Sequence, residues 1–180
     1  MGMAIMSDDF TVADLDQFEG QNGRYELFEG ALIVTPLGTS AHQSICLRLI
    51  MAIAPYVESR GLGVVFAPGR VVVDNRTALE PDLMVVAGPP ALASTPWKDL
   101  PAPVLVVEVL SPSTRSFDRI QKRQAYLRGG AAEYWIVDPS KRTVTIVRAD
   151  APEAEAGNLL RWRPVGAAAD FELAVASLFA

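Results

Sequence analysis

Hydrophobic residues occur along this chain in short blocks, and their spacing separates strands from helices. Val104–Leu110 (VLVVEVL) is apolar at every position but Glu108, with the length and β-branched content of a buried strand. PDLMVV (81–86) reads as a second such strand, entered through a proline. RYELF and ALIVTP flank Glu29-Gly30 and predict a hairpin. GVVFA and RVVVD around Pro68-Gly69 predict a second, and EYWIVD and TVTIVR around Pro139-Ser140 a third. A last strand pair near 159–163 and 170–173 leads into a short C-terminal helix ending in ASLFA.

Helical spacing appears in three further places. Thr11 is placed to cap a short helix over VADLDQFEG. Ser40 and Gln43 form a capping box opening a long helix to about Arg60. SPST ends the strand at Leu110 and starts a helix over about 115–128, which Gly129-Gly130 stops. The proline-rich stretch 88–103 predicts an exposed loop, and RADAPEAEAGN (148–158) a long polar turn. The crossover from Leu110 through the helix to Glu133 has the form of a right-handed βαβ unit. The sum is an α/β protein with a mixed β-sheet flanked by helices, one domain over residues 1–180.

Composition narrows the class. Half of the 180 residues are hydrophobic, ample for a core, yet the apolar runs are too short to span a bilayer. The N-terminus lacks a basic segment, is broken by Asp8-Asp9, and has Met6 where a myristoylation signal needs Ser or Thr, so a cytoplasmic protein is expected. Cys46 is the lone cysteine, which excludes an internal disulfide or a thiolate cluster. A net charge of −5 argues against bulk, nonspecific grip on nucleic acid and makes the local distribution of charge matter more.

That distribution is uneven. The helix after SPST holds Arg115, Arg119, Lys122, Arg123 and Arg128, five of the sixteen basic residues, against the single acid Asp118. Arg115, Arg119, Lys122 and Tyr126 follow i, i+4, i+7, i+11 and are expected on one face, either facing phosphates or simply solvated. Asp118 and Lys122 read as an ordinary i, i+4 pair. Glu108 and Asp82 are acids in apolar strands, a costly placement unless each is paired, protonated or bound to a cation. If their strands are neighbours, two carboxylates converge and suit Mg²⁺ or Mn²⁺. The alternative is that Asp82 caps a turn and Glu108 bridges to an arginine. Glu26, in YELFEG, is a third candidate acid. His42 is the sole histidine, so a zinc site is not expected, and no G-x-S-x-G elbow, Walker loop or G-x-G-x-x-G is present.

The ordered set YELFEG, EPDLMVV, VLVVEVLSPSTRSFD, Lys122 with Tyr126, EYWIVDP and FELAVASLF resembles the Uma family over about residues 10–179. That bacterial family, long described as a domain of unknown function, is placed among the PD-(D/E)XK nucleases. The resemblance implies a restriction-endonuclease-like fold and Mg²⁺- or Mn²⁺-dependent hydrolysis of DNA phosphodiester bonds. By its motifs Asp82 and Glu108 are the metal-binding acids, Glu26 an upstream catalytic acid, and Lys122 the catalytic amine. The superfamily lysine is expected two residues after Glu108, where this chain has Leu110, so Lys122 stands in from the following helix. Arg115 and Arg119 would hold flanking phosphates, with Gln124 and Tyr126 supporting the site. A homodimer is implied, since such nucleases pair to cut two strands. Two other readings stay open: an inactive nuclease fold used for nucleic-acid binding or assembly, and an enzyme acting on a small phosphorylated substrate.

Overall fold

The structure is a computed structural model describing residues 4–6, 9–18, 20–36 and 38–180. Asp8 and Glu19, on which two of the sequence readings touch, lie outside the described residues. In chain order the strands and helices are β1 (Ala4–Met6), β2 (Arg24–Phe28), β3 (Ala31–Thr35), α1 (Ser40–Glu58), β4 (Val64–Phe66), β5 (Val71–Asp74), β6 (Thr77–Leu79), β7 (Leu83–Val86) and β8 (Leu105–Val109). There follow α2 (Arg115–Phe117), a π-helical turn (Asp118–Lys122), α3 (Arg123–Arg128), β9 (Tyr134–Asp138), β10 (Thr143–Arg148), β11 (Ala151–Glu155), β12 (Leu159–Trp162) and β13 (Phe171–Ala174).

The central sheet has the order β11-β10-β9-β8-β7-β4, and only β8 and β9 in it run parallel. The α2–π–α3 helix makes the crossover between them, as the βαβ pattern predicts. Residues of alternate parity on β7 and β8 face opposite ways. Leu83, Val85, Leu105 and Val107 pack with Leu49 and Ile53 of α1 and with Trp162 and Phe171 of the C-terminal hairpin. Met84 and Val106 pack on the other face with Tyr126 and Ala125 of α3. Asp82 and Glu108 share that second parity. The β7–β8 register pairs Leu83 with Val107, and one further step brings the two acids abreast at the strand ends.

A second sheet, β1-β3-β2-β6-β5, covers the same face. On β2, Tyr25 and Leu27 pack into a separate small core, while Arg24 and Glu26 alternate with them and turn toward the crossover helix. The β2–β3 hairpin forms as expected, with Glu29 and Gly30 both at positive φ, the conformation a two-residue turn between strands requires.

Four local expectations are corrected. The predicted hairpin across Pro68-Gly69 does not form: β4 pairs with β7, and β5 pairs with β6 in the other sheet. The two-residue turn at Asn75-Arg76 joins β5 to β6, and the proline–glycine segment carries the chain between sheets. Residues 151–155, read as a polar turn, form the edge strand β11, with every side chain exposed. Hydrophobic alternation is blind to such a strand, because backbone pairing defines it; Pro and acidic residues also suit an edge. The cap of α1 is Thr39, whose hydroxyl accepts from the His42 amide, rather than Ser40. Near Thr11 the roles are reversed: its amide and hydroxyl both donate to Asp14, at the start of a 3-10 helix, Val12–Phe18. Among the described residues no helix is long and apolar enough to cross a membrane.

Candidate active site

Glu108 enters this site because β8 alternates. The parity that buries Val106 against α3 also buries Glu108, leaving it 2% exposed. Its Oε1 accepts from Lys122 Nζ at 2.9 Å and from the Tyr126 hydroxyl at 2.7 Å. Lys122 Nζ also lies 2.7 Å from Glu26 Oε1 and 3.5 Å from Asp118 Oδ1. Asp82 Oδ2 accepts the Val109 amide at 2.8 Å and faces His42 Nε2 at 3.2 Å. Arg24 bridges the two strand acids, 2.6 Å from Asp82 Oδ1 and 3.7 Å from Glu108 Oε2. Arg24, Glu26, Glu108, Asp118, Lys122 and His42 line a cleft of about 330 Å³, whose rim includes the Ser111–Thr114 loop.

Sequence reasoning brought Glu26, Asp82, Glu108, Lys122 and Tyr126 to attention, and the fold gathers all five. It missed Arg24, His42 and Asp118. Arg24 carried a signal, since it alternates with Glu26 on one strand and shares its face. Asp118 pairs with Lys122 at i, i+4 as expected, but the pair is buried: Asp118 is 2% exposed, and its Oδ1 accepts no hydrogen bond.

The basic helix is arranged differently from expectation. Its inward row is Asp118, Lys122 and Tyr126, at i, i+4, i+8. Only two of the four residues expected on one face share it, because the π turn takes up an extra residue and rephases what precedes it. Arg115 reaches Asp138 with both terminal nitrogens, at 2.5 and 3.0 Å, and donates to Ser140 at 2.8 Å. Arg119 is half-buried, with no hydrogen bond or ion pair among the described residues. Gln124 is exposed and does not line the cleft, so its expected support of the site is corrected.

The Asp138 anchor ties the start of the crossover helix to the β9–β10 turn. Burial alone would raise the Asp138 carboxyl, but Arg115, Ser140 and the Lys141 amide hold it far below its ordinary 3.8. A depressed carboxylate contributes stability above its unfolded pKa and loses it as pH falls through the folded one. Asp138→Asn is therefore expected to cost about 1–2 kcal/mol at neutral pH. Urea unfolding should show this difference shrinking as pH falls below 3.8. A cost independent of pH would mean the charge is irrelevant.

Electrostatics separates the two strand acids. Burial would raise Asp82, but the His42 hydrogen bond and the Arg24 charge outweigh it and hold the carboxyl well below the usual range. Burial pushes Glu108 up to about 8 despite the Lys122 charge that opposes it. Burial also raises Asp118, against Lys122 and a hydrogen bond from Thr114. Lys122 would be lowered by burial, but the charges of Glu108, Glu26 and Asp118 lift it above its ordinary value and keep it an ammonium. Four carboxylates against two side-chain cations leave two negative charges in excess when all are ionised. That excess, the all-oxygen donors and an Asp118 oxygen that accepts no hydrogen bond fit a hard divalent cation such as Mg²⁺ or Mn²⁺.

A second constellation adjoins it. One donor each from His42, Cys46 and Asp82 lie within 4.8 Å of one another. Such a mixed set suits a softer metal, and helical i, i+4 spacing of His42 and Cys46 was its only signal in the sequence. However, His42 faces Cys46 with Nδ1, at 3.5 Å, and Asp82 with Nε2, so its two nitrogens point to opposite partners. Burial pushes the thiol up to about 12, and Cys46 does not line the cleft. Neither a thiolate nucleophile nor a thiolate ligand is favoured there.

Comparison with known proteins bears on the family and the fold. A family profile described as "Putative restriction endonuclease" (Uma2) matches residues 12–176. An uncharacterized protein of Synechocystis sp., slr1290, is 29% identical over 109 residues, covering 60% of this chain and 56% of that relative. The matched segment thus spans about half of that relative's length. A crystal structure from Anabaena variabilis ATCC 29413, titled a putative nuclease belonging to DUF820, superposes with a TM-score of 0.71. It shares 21% identity, with 92% of this chain and 96% of that chain covered, and so shows a common fold.

Proposed function

The chain belongs to the Uma2 family of restriction-endonuclease-like proteins, and from that premise we propose that it is a Mg²⁺- or Mn²⁺-dependent endonuclease hydrolysing DNA phosphodiester bonds. The observation that carries this reading is the buried Lys122 ammonium, placed 2.7 and 2.9 Å from Glu26 and Glu108 at the cleft. It supplies the amine absent at position 110. Asp82 and Glu108 would hold the cation. When bound, such an ion polarises a phosphate oxygen and makes water a stronger nucleophile at neutral pH.

The protein's own groups have distinct tasks. Lys122 is held charged, so it stabilises negative charge developing on phosphorus and orients water instead of removing its proton. Tyr126 fixes Glu108 by donating to Oε1, leaving Oε2 toward Arg24. Arg24 lines the cleft and would meet a substrate phosphate there, and Arg119, on the crossover helix, would hold a flanking one. Arg115 would do so only while sharing itself with Asp138. A cytoplasmic location and a homodimer, which sets two such centres on one duplex, accompany this reading.

Calorimetric titration with Mn²⁺ tests it, comparing the wild type with Asp82→Ala and Glu108→Ala and then incubating each with plasmid DNA. The wild type is expected to bind the ion and nick the plasmid, and both variants to lose both properties. Binding unchanged in both variants would overturn the metal assignment. Binding without nicking of DNA would favour the alternative of a nuclease fold kept for nucleic-acid binding or assembly.

A further inference from the structure

We propose that Arg24 is an exchangeable counter-ion of the cation site: it occupies the two carboxylate oxygens a metal would need, and gives them up to take hold of substrate phosphate. This rests on the metal-site reading above. The assignment comes from an accounting of oxygens. Asp82 commits Oδ2 to the Val109 amide and His42, and Glu108 commits Oε1 to Lys122 and Tyr126. Each acid has one oxygen left, and a single guanidinium faces both, at 2.6 and 3.7 Å. A planar guanidinium with forked donors can span two such acceptors, where one ammonium cannot do so equally well.

Exposure distinguishes the two cations of the cluster. The Lys122 side chain is 2% exposed and is held by three acids at once, so it stays in place. The Arg24 side chain is 22% exposed and lines the cleft, whereas its acid partners are 3% and 2% exposed. Arg24 therefore closes the site from the solvent side. A divalent ion held by Asp82 and Glu108 would repel Arg24 and compete with it for these acids. The displaced guanidinium then lies in the cleft where a phosphate would sit, and bidentate phosphate recognition is what that group does well. Metal and DNA should in consequence bind with positive coupling: each relieves a cost the other imposes.

The test is Mn²⁺ calorimetry on the wild type, Arg24→Gln and Arg24→Lys, each alone and with a short phosphorothioate DNA duplex. Without DNA, Arg24→Gln is expected to bind Mn²⁺ about tenfold more tightly than wild type, with Arg24→Lys between them. The duplex should tighten Mn²⁺ binding to the wild type about tenfold and leave Arg24→Gln nearly unchanged. Should Arg24→Gln fail to fold, Arg24→Lys carries the test, because it keeps the charge and loses the fork. A wild type that binds Mn²⁺ beside variants that bind it no more tightly would overturn the role of Arg24 while leaving the metal site standing. Absence of Mn²⁺ binding in all three would overturn the metal site and this role together.

Discussion

Lys122→Met is expected to destabilise the protein by about 3–5 kcal/mol at pH 8, and to do so much less at pH 5. Methionine nearly fills the same volume, so the cost is electrostatic. Lys122 is the cation shared by Glu26, Glu108 and Asp118, at 2.7, 2.9 and 3.5 Å. Without it, three buried carboxylates face one another, and only Arg24 remains beside Glu108. The pH dependence follows from the proton balance. Glu108 and Asp118 already titrate above their ordinary values of 4.5 and 3.8, and removing Lys122 raises them further. Between those values and the raised ones the native state holds protons that the unfolded state has released. Stability therefore falls as pH rises through this window and recovers as pH falls. Urea unfolding of the variant and wild type from pH 5 to 8 measures the difference. A loss under about 1 kcal/mol throughout would show that the acids are compensated in some other way.

Much of this arrangement could be read from the chain before its fold was known. The apolar run Val104–Leu110 gives β8, and the acid interrupting it marks the site, because a buried charge needs a partner. Asp82 and Glu26 are visible on the same ground, as acids among strand-forming residues. Lys122 is different: no spacing rule carries a lysine across a crossover to a strand residue fourteen positions back, and only the ordered family motifs pointed to it. Arg24 could be placed beside Glu26 by strand alternation, but that Arg24 and His42 meet Asp82 was opaque, because it lies 58 and 40 positions away and pairing at such distance is decided by sheet topology. The misplacement of β5 belongs with them, since local turn chemistry suggested a hairpin at Pro68-Gly69 and tertiary pairing placed β4 on β7 and β5 on β6 instead. The π turn was hidden for the opposite reason: its sequence reads as ordinary helix, and the rephasing comes from how Asp118 and Lys122 are drawn inward.

The same charge balance sets the second large effect. Glu108→Gln is expected to lose Mn²⁺ binding and to lower DNA cleavage on the order of 10³-fold, while the metal-free protein melts at or above the wild-type temperature at pH 8. Glutamine keeps a carbonyl that can accept from Lys122 and Tyr126, so the hydrogen bonds that fix position 108 persist. It removes one of four carboxylates, so the excess of two negative charges falls to one. Lys122 still has Glu26 and Asp118, and Arg24 still has Asp82. Burial opposes ionisation of Glu108 strongly enough to push it up to about 8, so the neutral isostere escapes a cost that the native acid bears. A residue that weakens the metal-free fold at alkaline pH is one kept for what it binds. Thermal melts at pH 8 with and without Mn²⁺ read both halves of the prediction. Wild type should gain stability from the ion and the variant should not. A variant that melts several degrees lower without metal would instead make Glu108 a structural partner of Lys122, and its place in an apolar strand would then be explained by that ion pair alone.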